Sequence, residues 1–203
     1  LRQTLDTVGA LAGPLLATAL MFASGGNFRL VFWIAVVPAI ISVTILVRYV
    51  EEPQQTSTDA GRARIRWSEL REFTATFWSV VVVGAVFTLA RFSEAFLVLR
   101  ASDVGVSTVY IPMALLTMNA VYAVAAYPAG QLSDRVSRRA FLTMGAAILT
   151  AADLVLSRIS GLPGLFAGIA LWGLHLGLTQ GVFAALVADA APEHLRGTAF
   201  GLF

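Results

Sequence analysis

Cysteine is absent from the 203 residues, so neither a disulfide nor a thiolate metal site can form. Lysine is absent as well, and all 14 Lys/Arg positions are arginine. Charge of either sign is scarce: Asp, Glu and Arg make up 13% of the chain, against about 25% in an ordinary soluble domain. The two histidines are too few for a His-rich metal site. There is no glycine loop of the kind that cradles a nucleotide phosphate, and no Ser-His-Asp set at workable spacing. The expectation is a protein that is not an enzyme, has no ATP site and needs no cofactor or metal. A net charge of +2 gives no footing for nucleic acid.

What is present is apolar. Hydrophobic residues account for 58% of the chain, and they fall into runs from Thr7 to Phe28, Leu30 to Val47, Phe73 to Leu99, Thr108 to Ala129, Ala140 to Leu156 and Leu165 to Val187. About 20 apolar residues in a helix cross a hydrocarbon core of about 30 Å. The predicted fold is therefore all-α, a polytopic transmembrane helical bundle held in a lipid bilayer. The third run is read as one continuous helix through Arg91-Phe92-Ser93-Glu94. Between the second and third runs, Pro53 to Gly61 is polar and reads as a flexible linker. In the segment after it, Trp67, Leu70 and Phe73 share one helical stripe with Arg66 and Arg71 off it. That pattern suits either a helix lying on the membrane surface or a solvated linker.

Arginine position sets the orientation. If the chain enters from the cytoplasm, Arg2, Arg48, Arg62, Arg64, Arg66, Arg71, Arg135, Arg138, Arg139 and Arg196 lie inside, and Arg29, Arg100 and Arg158 outside. Ten against three satisfies the positive-inside rule.

Three motifs carry a family resemblance. The loop Gly130-Gln131-Leu132-Ser133-Asp134-Arg135-Val136-Ser137-Arg138-Arg139 resembles the major facilitator superfamily pattern G-x-L-a-D-r-x-G-r-k-x-x-l. Gly130, Leu132, Asp134, Arg135, Arg138, Arg139 and Leu142 fit, and Ser137 stands where the pattern has glycine. The segment Gly9-Ala10-Leu11-Ala12-Gly13-Pro14 resembles the fifth-helix pattern G-x-x-x-G-P-x-x-G-G of that superfamily's antiporters, with Ala17 and Thr18 in place of the last two glycines. The segment Pro192 to Gly201 resembles P-x-x-x-R-G-x-A-x-G. Together they imply an incomplete superfamily bundle running from about helix five to the start of helix eleven. Residues 1–50 would be the last two helices of the first six-helix half, 51–76 the cytoplasmic linker, and 77–203 most of the second half. With no initiator Met, basic leader or cleavage site at its start, the chain reads as a fragment.

The resemblance implies a secondary transporter that moves a small molecule by alternating access. The Gly13-Pro14 element points to proton-coupled efflux of a drug-like compound or metabolite from a bacterial inner membrane. Import by symport or facilitation is the alternative, and a non-transporting receptor on the same fold is a third reading. The partners would be substrate, protons, lipid and the rest of the transporter.

Polar groups inside the spans are the candidates for coupling or substrate binding, because charge in a bilayer is costly. Arg91 and Glu94 stand at i,i+3 and are expected to pair on one helix face. Asp153 is alone in its span and is placed either as a helix cap or facing a water-filled cavity. His175 lies near the middle of the last span, about 200° round the helix from Gly173, away from a packing face of Gly173, Gly177 and Gly181. It reads either as a titratable group beside Thr179 or as a hydrogen-bonded bystander. Asn119 and Tyr122 could line a path or join helices. Gly9 and Gly13 are expected to allow a neighbouring helix close, and Pro14 to kink its own. By resemblance, Gly130, Asp134, Arg135, Arg138 and Arg139 would be gating residues.

Overall fold

The computed structural model describes residues 2–50, 70–133 and 136–203. Every regular element among them is helical: α1 (Arg2–Ala23), α2 (Phe28–Tyr49), α3 (Ala75–Ala90), α4 (Ala95–Asp103), α5 (Pro112–Ser133), α6 (Arg138–Arg158), α7 (Gly161–Ala190) and α8 (Arg196–Leu202). Single 3₁₀ turns at Thr108–Tyr110 and Glu193–Leu195 precede α5 and α8. Five stretches are long and apolar enough to cross a membrane: α2, α3 with α4 as one interrupted span, the Thr108–Ser133 segment, α6 and α7. The apolar part of α1, Val8–Ala23, is shorter.

Local chemistry places the helix ends. The side chains of Asn27, Thr74 and Ser137 accept hydrogen bonds from the backbone N–H groups of Leu30, Phe77 and Ala140 at 3.2, 3.3 and 3.2 Å, capping α2, α3 and α6. Gly25 and Gly26, at φ of 63° and 90°, turn the chain between α1 and α2 in a region that side chains with a Cβ rarely adopt.

The bundle is built on α7. Lipid tails are as apolar as leucine, so helices in a bilayer are held by close packing rather than by escape from water. Two glycine pairs on α7 provide that closeness. Gly173 and Gly177 face α5: a Cβ on Gly173 would strike the Met118 carbonyl, and one on Gly177 would come within 2.7 Å of the Ala125 Cβ. Gly164 and Gly168 face α6, where a Cβ on Gly168 would lie 2.5 Å from Leu156 Cγ. Among the described residues Gly181 meets only open space, so the face predicted for Gly173, Gly177 and Gly181 is used there at its first two positions. Trp172, Ile169 and Leu165, in the first half of α7, fill one core with Leu97, Met118 and Leu149. Where α3 begins and α7 ends, Phe73, Phe77 and Val80 of the α3 region close on Val187, Leu195 and Ala199.

α1 docks on α5 with Met21 buried, while α2 buries none of its residues and presents Phe32, Trp33, Ile41 and Val47 outward. Gly9 and Gly13 have no packing partner among the described residues, where nothing lies within 4 Å of a Cβ built on either. α1 turns other residues toward α5. It runs through Pro14, whose carbonyl accepts the Thr18 hydroxyl at 2.8 Å. The amphipathic stripe read from Arg62 onward lies outside the described residues up to residue 69.

Candidate functional site

The third span is not one helix. α3 ends at Ala90, and the backbone N–H of Arg91 makes the last bond back to the Phe87 carbonyl at 2.9 Å. Arg91 takes an extended conformation at φ −88° and ψ 104°. The Ser93 hydroxyl then accepts from the Ala95 N–H at 3.3 Å, and α4 begins. A serine that supplies its own acceptor competes with helix continuation, which is the local reason for the break. The interruption cancels the Arg91–Glu94 pairing expected on a continuous face. No ion pair joins them among the described residues; Glu94 is exposed, and Arg91 is half-buried beside α7. Non-helical backbone at membrane depth is tolerated where it lines a cavity, and a cavity is there.

That cavity, of ≈ 190 Å³, lies between α3 and α7. Gly84, Phe87, Thr88 and Arg91 form one wall, His175, Thr179, Gln180 and Phe183 the other, and Phe203 closes an end. His175 is the fifteenth of the 30 residues of α7. It is 1% exposed and fixed on two sides. Its Nδ1–H donates to the Gly145 carbonyl of α6 at 2.8 Å, and its ring stacks on Phe87 at 6.0 Å with an interplanar angle of 11°. Gly145 makes this possible, because a Cβ there would collide with the Thr179 methyl. With Nδ1 carrying the proton of that bond, Nε2 keeps the lone pair, and it has no hydrogen-bond partner among the described residues. The Thr179 hydroxyl donates to the His175 carbonyl at 2.8 Å. The site therefore holds an imidazole in one orientation, with its Nε2 lone pair free, in a cavity shared with the Arg91 guanidinium.

Asp153 belongs elsewhere. It lines a groove of ≈ 390 Å³ between α4 and α6 with Phe92, Phe96, Leu97, Arg100, Leu156 and Ser157. Its Oδ1 is buried without a hydrogen-bond partner, and Arg100 is engaged by Asp103. An unmet buried oxygen costs about 1–3 kcal/mol. Asp153→Leu, which places an isobutyl group against Phe96 and Leu156, is therefore expected to raise the thermal midpoint of the full-length protein. A lowered midpoint in a melting curve would show that the carboxylate is satisfied there.

Sequence comparisons bear on what such an arrangement belongs to. The family model described as Major Facilitator Superfamily matches residues 1–203. The chain belongs to the Major Facilitator Superfamily. An uncharacterized MFS-type transporter of Methanocaldococcus jannaschii is 29% identical over 209 residues, a stretch covering 100% of this chain and 52% of that relative. The chain thus spans about half the length of the curated relative it matches. No solved structure matches it.

Within this superfamily chain the remaining candidates are dispersed. Asn119 and Tyr122 are half-buried on α5, where the Tyr122 carbonyl borders the Gly177 contact, and neither lines the His175 cavity. Gly130 is exposed in the last turn of α5, which continues to Ser133, so it lies in the helix and not in a loop. Asp134 and Arg135 lie outside the described residues. Arg138 opens α6 and pairs with Asp189 near the end of α7; Arg139 is exposed. Gly145, Phe87, Gln180 and Asp189 were not among the residues the sequence singled out. Gly145, one helical turn after Phe141 and one before Leu149 on the buried face of α6, was the available signal.

Proposed function

We propose that the chain is part of a secondary transporter that carries a small molecule across the cell membrane by alternating access. Its spans divide at the 51–76 linker, with residues 1–50 in one bundle and 77–203 in the other, and the rest of the transporter supplies the facing wall of the cavity. The carrying observation is a buried imidazole at the midpoint of the longest span, opening with Arg91 onto a cavity beside a broken helix. Titratable groups at such depth mark ion and substrate paths. We assign His175 Nε2 as the proton-accepting atom. The Gly13-Pro14 resemblance supports export of a drug-like compound or metabolite against proton entry, and the arginine distribution supports an inner-membrane orientation with the Arg138 loop inside. Arg138, paired with Asp189, would tie α6 to α7 at the cytoplasmic end and act with Asp134 and Arg135 in gating.

The test uses everted, energised vesicles carrying the full-length transporter and a pH-sensitive dye. Adding a transported compound is expected to release protons from the lumen. Compound uptake with no proton movement would sink the coupling. Uptake only in the opposite direction would replace export by import.

A further inference from the structure

Arg91 stands at the break in the third span with no counter-charge among the described residues. A guanidinium is a permanent cation, and a cation within a membrane span is costly unless an anion meets it. Among the residues whose side chains are described the carboxylates are placed elsewhere: Asp103 holds Arg100, Asp189 holds Arg138, Glu72 meets His194 at 3.1 Å, Glu94 and Glu193 are exposed, and Asp153 lies in the other groove. Among the described residues no acid lines the cavity Arg91 shares with His175. Its two hydroxyls are turned away, that of Thr88 donating to the Gly84 carbonyl at 3.0 Å and that of Thr179 to the His175 carbonyl at 2.8 Å. Its other walls are aromatic: Phe87 meets Phe183 edge-on at 5.1 Å, and Phe183 meets Phe203 at 5.7 Å. The site offers a fixed cation, a second group that becomes cationic on protonation, and apolar faces around them.

Resting on the transport reading above, we infer that the carried molecule is an organic anion, a carboxylate or phosphate on an apolar body, and that Arg91 binds its anionic end. A guanidinium presents paired N–H donors that match either group in bidentate fashion. The aromatic walls take the body. The same chemistry would be met by a carboxylate belonging to the rest of the transporter, and the experiment separates the two sources.

The purified full-length transporter is melted in the presence of benzoate, phenyl phosphate, methyl benzoate or benzylamine. Benzoate or phenyl phosphate is expected to raise the midpoint, with the ester and the amine inert. Arg91→Gln is expected to weaken the acid's apparent affinity about ten- to a hundred-fold, the range for a hydrogen bond to a charged group. Arg91→Lys, which keeps the charge and loses the fork, should fall between, and it carries the test should the glutamine variant fail to fold. Three results would overturn the inference: equal stabilisation by ester or amine, acid binding unchanged in both variants, or no stabilisation by either acid. The last would assign Arg91 to a carboxylate of the transporter itself. Failure of the transport reading looks different: Arg91-dependent acid binding with no flux in liposomes. Flux of neutral compounds without any acid effect would leave transport standing and remove the anion.

Discussion

Gly173→Val is expected to remove most of the folded full-length transporter, leaving little in the monodisperse peak of fluorescence-detected size exclusion. The obstacle to the new side chain is the Met118 carbonyl of α5, with the Met118 carbonyl carbon and Cα behind it. Backbone cannot rotate aside as the tip of a leucine can. Overpacking a closed interface costs about 1–3 kcal/mol even where side chains yield, and this one has no side chain to yield. The loss would fall on the α5–α7 seam, on which α1 also depends through α5. Gly181→Val is the matched control, since among the described residues nothing lies within 4 Å of its added Cβ. It should leave both the peak and the thermal midpoint near wild type. Equal damage from both substitutions would contradict the packing described here.

His175→Gln is expected to reduce compound-driven proton release to the background of empty vesicles while the carrier remains folded. Glutamine can still offer an N–H to the Gly145 carbonyl, which His175 meets at 2.8 Å, but it cannot accept a proton near neutral pH. The change therefore separates holding the helix pair together from carrying charge. Glu94→Gln should leave release close to wild type, because Glu94 is exposed beyond the break in the third span. Full release in His175→Gln would move the coupling to another group and remove the reason for assigning this cavity.

The spans were legible because a bilayer demands about 20 apolar residues per crossing, and the chain meets that demand openly. The interruption at Arg91 was not legible from hydropathy, since Phe92 and Ala95 to Leu99 continue the apolar run; it is marked instead by the extended backbone of Arg91 and by the Ser93 hydroxyl accepting from the Ala95 N–H. The helical angle between Gly173 and His175 is a property of α7 alone, so sequence places them on different faces, and the structure has one against α5 and the other against α6. What the imidazole meets depends on a glycine 30 positions away, and spacing within one helix carries no information about that. Gly9 and Gly13 show the converse, a local pattern for close packing with no neighbour among the described residues. Superfamily membership was readable from the Arg-rich loop, whose residues fit a pattern irrespective of how they pack.

The most direct test of the central claim is access to the cavity from the two sides of the membrane. Gln180 is exposed on its wall, and this chain has no cysteine of its own. In a cysteine-free full-length transporter, Gln180→Cys would be labelled with a membrane-impermeant maleimide applied to one face at a time. An alternating-access path predicts that labelling shifts from one face to the other when the proton gradient is reversed, and that a transported compound slows it. Labelling from a single face under every gradient, unchanged by any compound, would show that the space between α3 and α7 is not the path.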